Sequence, residues 1–121
     1  MLIHANEETF QAEVIDFKGV AIVDFWAPWC GPCKMLGPIF EELSNDYAGN
    51  ANVKFVKVNT DENMELSFKY KIRGIPCVKV FKNGLEVETS VGLVPKEELE
   101  DLLKRNRSSR RRSATPNWTD W

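Results

Sequence analysis

The chain has 121 residues, 43% of them hydrophobic and 28% charged, the composition of one folded domain with a single sizeable core. No apolar run approaches the ~18 residues that a membrane-spanning helix needs. Net charge is −2, but residues 1–104 hold 11 basic and 17 acidic side chains (−6), while 105–121 hold five arginines and Asp120 (+4); an acidic globular part argues against nucleic acid as a ligand.

Residues 1–8 show neither a basic nor an apolar leader, which makes the cytoplasm the expected compartment. Asn6 can cap a helix reaching about Phe17, with Phe10, Val14 and Phe17 on one face and Lys18-Gly19 closing it. Residues 20–26 are almost continuously apolar and too few for an isolated helix. They read as a central strand covered on both faces. A helix should follow Cys30, because Cys33, Leu36, Phe40, Leu43 and Tyr47 recur in helical phase. Pro38 inside it removes a backbone donor and should kink it. Residues 53–58 read as a second inner strand, and Asp61 can cap a short helix ending near Tyr70. Residues 77–81 and 85–89, joined through Asn83-Gly84, spell a hairpin whose turn needs positive φ. Pro95 opens a last helix with Leu99, Leu102 and Leu103 on its apolar edge. Strands linked first through helices and then by a hairpin predict an α/β fold, a central mixed sheet flanked by helices on both faces.

Three cysteines are too few for a disulfide framework and suit redox chemistry or metal binding. Trp29-Cys30-Gly31-Pro32-Cys33-Lys34 stands where the central strand gives way to the helix. Thiols two residues apart can close a small disulfide ring and reopen it. A thiol at a helix start also feels the partial positive charge of unpaired N–H groups, which favours the thiolate. Helical phase turns Cys33 toward the core and leaves Cys30 as the expected exposed sulfur. Gly31 allows tight backbone packing and Pro32 restricts the loop. Two rival readings stay open: inert thiols near a helix end, and a zinc site drawing on Cys30, Cys33, Cys77 and His4.

Asp24 lies mid-strand among apolar residues, where an unpaired carboxylate is costly. Its pKa should rise toward neutrality unless the strand end leaves it hydrated. Cys77 reads as a small buried strand residue, with a regulatory thiol as the alternative. Residues 106–121 are basic, rich in serine and without periodicity, the mark of a disordered tail. That tail is either appended sequence or a basic interaction segment.

Five stretches in order carry a resemblance: residues 23–34, then Lys57-Val58-Asn59-Thr60-Asp61, Ile72-Arg73-Gly74-Ile75-Pro76, Phe81-Lys82-Asn83-Gly84 and Val91-Gly92. Over residues 1–105 the chain resembles the thioredoxin family. The resemblance implies the thioredoxin fold and a thiol–disulfide oxidoreductase that reduces protein disulfides. In that family pattern Cys30 is the nucleophile, Cys33 resolves the mixed disulfide, Asp24 takes the Cys33 proton and Lys57 is its charge partner. Gly31-Pro32 would set a reducing potential, and Pro76 would be cis. Trp29, Gly74, Ile75, Pro76, Gly92 and Leu93 would form the substrate surface. The implied partners are disulfide-containing proteins and an NADPH-dependent thioredoxin reductase. The chain would act as a monomer, with the Cys30–Cys33 disulfide as its redox centre and neither bound cofactor nor metal. Cys77 departs from the pattern, where a small polar residue is more usual. An oxidase or isomerase on the same fold, or a non-catalytic binding subunit using the same apolar surface, is the alternative.

Overall fold

In the computed structural model, which describes residues 2–107, the apolar run at 20–26 becomes the middle strand of a five-stranded sheet. In chain order the strands are β1 (Leu2–His4), β2 (Val20–Trp26), β3 (Val53–Asn59), β4 (Cys77–Lys82) and β5 (Leu85–Val91), arranged β1-β3-β2-β4-β5. β3 runs parallel to both β1 and β2, whereas β4 is antiparallel to β2 and to β5. The expected mixed sheet is therefore present.

Successive strand residues point to opposite faces, so β2 needs apolar side chains at nearly every position to serve two cores. On one face Val20, Ile22, Phe55, Val78 and Val80 meet Leu36, Phe40 and Leu43 of α1 (Gly31–Asp46) and Leu99, Leu102 and Leu103 of α3 (Lys96–Arg107). On the other, Ala21, Val23, Phe25, Val56, Val58 and Phe81 meet Phe10, Val14 and Leu66, the last from α2 (Met64–Lys69). Edge-on ring pairs knit both sides: Phe40 with Phe55 at 5.3 Å and Phe10 with Phe81 at 5.8 Å.

Several local expectations change. β1 was not legible, since three residues carry no period of their own and it exists only by pairing with β3. Asn6 does cap, its side-chain oxygen accepting the Glu8 and Thr9 N–H groups at 2.8 and 2.9 Å. The helical segment it opens is short, however, a π-helical stretch Gln11–Ile15 closed by the Asp16 N–H on the Gln11 carbonyl. The chain then swings through Gly19, whose φ is 142° and where a Cβ would stand 2.5 Å from the Asn52 carbonyl oxygen. Only glycine fits there. Pro38 lies inside α1 without ending it. Asp61 does not cap α2. Asn63 occupies that position without a side-chain cap, and the Glu65 N–H donates to the Glu7 carboxylate at 2.9 Å instead.

The hairpin turn is as expected, with φ of 52° at Asn83 and 85° at Gly84. α3 runs past residue 105, where the domain was expected to end. Asn106 is fully buried, its amide donating to Glu88 at 2.9 Å and to the Leu102 carbonyl at 2.7 Å, beside the Arg105–Glu88 pair. Residues 108–121, most of the expected tail, lie outside the described residues. Among the described residues no helix is long and apolar enough to cross a membrane.

Candidate active site

β2 ends at Trp26, and the turn that follows delivers Cys30 to the N-cap of α1, with φ −90° and ψ 111°. Gly31 and Pro32 fill the first two helical positions, where a missing proline N–H leaves no bond unmade. One turn of helix then returns Cys33 to Cys30. The two sulfurs form a disulfide with the Cα atoms 5.2 Å apart. Cys30 Sγ also accepts the Cys33 backbone N–H at 3.2 Å. That donor, with the positive end of α1, stabilises negative charge on Cys30 once the ring opens.

Cys33 is buried as its phase predicts, at 3% exposure, but Cys30 is not the exposed sulfur expected, at 5%. Ala27, Trp26 and Ile75 pack around the pair, and Cys30 Sγ lies 3.7 Å from the Ile75 carbonyl oxygen. The helical phase fixes only the inward direction of Cys33. The cover over Cys30 comes from the loop before β4, remote in sequence.

That loop carries a cis Ile75–Pro76 bond. The Pro76 carbonyl accepts the Gly92 N–H at 2.8 Å, joining residues 74–76 to the end of β5, and Gly74 passes close beside Val91. Leu93 beyond Gly92 is exposed. Ile75, Pro76, Gly74, Gly92 and Leu93 thus gather at the end of the sheet that presents the cysteines. Trp29 precedes Cys30 and is 69% exposed, its ring N–H donating to Asp61 at 3.1 Å. Sequence reasoning gave Asp61 to helix capping. Its position in the Lys57–Asp61 stretch was the available signal for a place at the site.

Asp24 is fully buried, in register with Lys57 of β3 and Val78 of β4. A hydrated strand end is thereby ruled out. It shares a sheet face with Ile22, on the side covered by α1, from which Cys33 projects. Neither carboxyl oxygen has a hydrogen-bond partner among the described residues. Burial raises its pKa from 3.8 to about 6 against the opposing pull of the Lys57 charge. The Lys57 ammonium stands 4.8 Å over the Trp26 ring.

Cys77 sits on the opposite face, buried with Phe25 and Phe81, and burial pushes its thiol pKa up; Lys79 opposes this, and Glu86 and Asp24 add to it. His4 lies on β1 beside Lys57. The four residues of the zinc reading do not converge: among the described residues no three His, Cys, Asp or Glu side chains are grouped to hold a metal ion. Lys79 escaped sequence reasoning. It is almost wholly buried, its ammonium 2.6 Å from Glu86 and 3.0 Å from the Thr89 hydroxyl.

A family model described as Thioredoxin matches residues 1–105. The chain belongs to the thioredoxin family. It is 46% identical to Thioredoxin 1 of Nostoc sp. over 101 residues, covering 84% of this chain and 92% of that one. It is 45% identical to the Thioredoxin of Bacillus subtilis over 105 residues, covering 87% and 97%. The Thioredoxin of Synechocystis sp. is 45% identical over 100 residues, covering 83% and 92%. A thioredoxin fold carrying Cys30 and Cys33 within bonding distance is a dithiol–disulfide reductase of proteins. No observation favours the oxidase, isomerase or binding-subunit reading. Disulfide-containing substrates and thioredoxin reductase are the partners typical of the family.

Proposed function

We propose that Cys30 is the attacking thiol, Cys33 the resolving thiol and Asp24 the base that serves Cys33. The Cys30 thiolate attacks one sulfur of a substrate disulfide, forming a mixed disulfide and releasing the first substrate sulfur as a thiolate, which takes a proton from solvent. The Asp24 carboxylate accepts the Cys33 proton. The Cys33 thiolate then attacks Cys30 Sγ, closing the Cys30–Cys33 bond and releasing the second substrate sulfur. Two electrons pass from the dithiol to the substrate. A carboxyl group that titrates at about 6 is largely ionised at neutral pH and able to take that proton.

Lys57 keeps Asp24 from titrating still higher, since its charge is the one that pulls the pKa down. Gly31 and Pro32 restrict the loop between the thiols and so bear on the redox potential. Trp29, Gly74, Ile75, Pro76, Gly92 and Leu93 receive the substrate, whose extended backbone lies against the cis-proline edge. The oxidised pair is recharged by an NADPH-dependent thioredoxin reductase, and the chain works in the cytoplasm as a monomer without bound cofactor or metal. The observation that carries this reading is the Cys33 N–H held on Cys30 Sγ at the start of α1. The test is insulin-disulfide reduction with dithiothreitol as electron source. The chain should accelerate precipitation of the insulin B chain, and Cys30→Ser should abolish the effect. Turnover at the wild-type level in Cys30→Ser would refute the nucleophile assignment.

A further inference from the structure

Asp61, which accepts the Trp29 ring N–H, is exposed and stands in a turn between β3 and α2, so its own position needs a cause. Two anchors supply it. On one side, Thr60 is fixed to the end of β2, where its N–H and its hydroxyl both donate to the Trp26 carbonyl, at 2.8 and 3.1 Å. On the other, Asn63 is 4% exposed and both ends of its side-chain amide are used. Its oxygen accepts the Glu7 N–H and its nitrogen donates to the Asn59 carbonyl, each at 2.9 Å. The Asn59 side chain in turn accepts the Asp61 N–H at 2.9 Å. A run of hydrogen bonds thus joins Glu7, Asn63, Asn59, Asp61 and Trp29. Its far end is held to the rest of the fold. The Ala5 N–H donates to the Lys57 carbonyl at 3.0 Å, and the Glu7 carboxylate accepts the Glu65 N–H at 2.9 Å. Asn63 is the buried member of this run, where an unmade bond costs most, and Trp29 is an exposed one, where an untethered ring would turn.

We propose that Asn63 is a positioning residue for the reduction of protein disulfides: it fixes the loop 59–63 and, through Asp61, holds the Trp29 ring where it meets a protein substrate. The proposal rests on the reading of Trp29 as part of the substrate surface. A ring already held loses little freedom when substrate arrives, whereas a loose ring must be ordered at that moment. Asn63 therefore acts on the capture of protein substrates and not on the sulfur chemistry.

The test follows single turnover of the fully reduced chain against insulin at varied concentration, with bis(2-hydroxyethyl) disulfide as a probe too small to need the ring. Asn63→Ala should raise the half-saturating insulin concentration about two- to tenfold, the cost of ordering one side chain, with the limiting rate and the small-disulfide rate within about twofold of wild type. Exchange of the Trp29 indole N–H with water should quicken about two- to tenfold, read by NMR on the signal that Trp29→Phe removes. In the Trp29→Phe background, which lacks the ring N–H, Asn63→Ala should add no further rise. A merely structural role would add the same loss in both backgrounds, and that result overturns the proposal. So does an insulin dependence or an indole exchange that Asn63→Ala leaves unchanged, or an equal slowing with both disulfides. If Asn63→Ala does not fold, Asn59→Ala, which removes the acceptor of the Asp61 N–H from a partly exposed residue, carries the same expectations and the same refutations. A wild-type chain that reduces neither disulfide would refute the proposed function, and this proposal with it.

Discussion

Asp24 and Lys57 stand opposite one another on neighbouring strands, yet the carboxyl group of Asp24 makes no hydrogen bond among the described residues. The attraction between them is weaker than the penalty of burying the charge, so the pKa settles at about 6 and not below 3.8. A surface ion pair would move the other way. What this arrangement maintains is a buried carboxyl group that titrates near neutrality, at some expense of stability.

That expense has a sign and a pH window. The folded chain holds the Asp24 proton more tightly than the unfolded chain does. The corresponding stability is therefore complete below pH 3.8 and is lost as pH rises through about 6. Relative to Asp24→Asn, the oxidised wild-type chain should lose about 2 kcal/mol between pH 4 and pH 7 and little more above that. Urea unfolding at several pH values measures the difference. A constant gap across that range would mean that Asp24 does not titrate in the folded chain as described.

Lys57→Met removes the charge that lowers the Asp24 pKa. The carboxyl should then titrate above 6, followed by NMR of its carbon, and the low-pH limb of insulin reduction should shift to higher pH with it. An unchanged or lower midpoint would show that Lys57 does not act on Asp24.

The Lys79–Glu86 pair separates two ways of losing an ion pair. Glu86→Ala strands the buried Lys79 ammonium and should destabilise the chain by about 1–3 kcal/mol, moderated because Glu86 is partly exposed. Lys79→Met removes the buried charge itself and should lie within about 1 kcal/mol of wild type. Equal losses from the two, by urea titration, would argue against a stranded charge as the cause.

Cys77 should be slow to react. Its pKa is raised by burial, so its thiolate fraction is low, whereas the start of α1 favours the Cys30 thiolate. In the reduced, folded chain, iodoacetamide should label Cys30 at least about a hundredfold faster than Cys77, the inequality vanishing in urea. Mass spectrometry of peptides resolves the two. Comparable rates in the folded chain would reopen the regulatory reading.

Which parts of the chain could be read in advance follows from how local their causes are. The turn at Asn83-Gly84, the strand at 20–26 and the inward phase of Cys33 each depend on a few consecutive residues, and each was legible. So was the redox pair, because one helical turn is enough to bring Cys33 back to Cys30. β1 was not, since its three residues become a strand only through β3. The partner of Asp61 was missed because a cap is a local solution and the Trp29 ring is 32 residues away. The burial of Lys79 depends on Glu86 and Thr89 arriving from β5, and it contradicts the polar-outward habit that its residue type suggests.

By itself, then, the sequence determined that this chain forms a mixed sheet between helices and carries a reversible cysteine pair at a helix start, because periodicity and dihedral preference act over a few residues. Only the tertiary structure decided that Cys30 is covered and that Asp24 is buried without a hydrogen-bond partner among the described residues. Exposure and pKa depend on what distant segments bring to a side chain, and nothing in its neighbours along the chain encodes that.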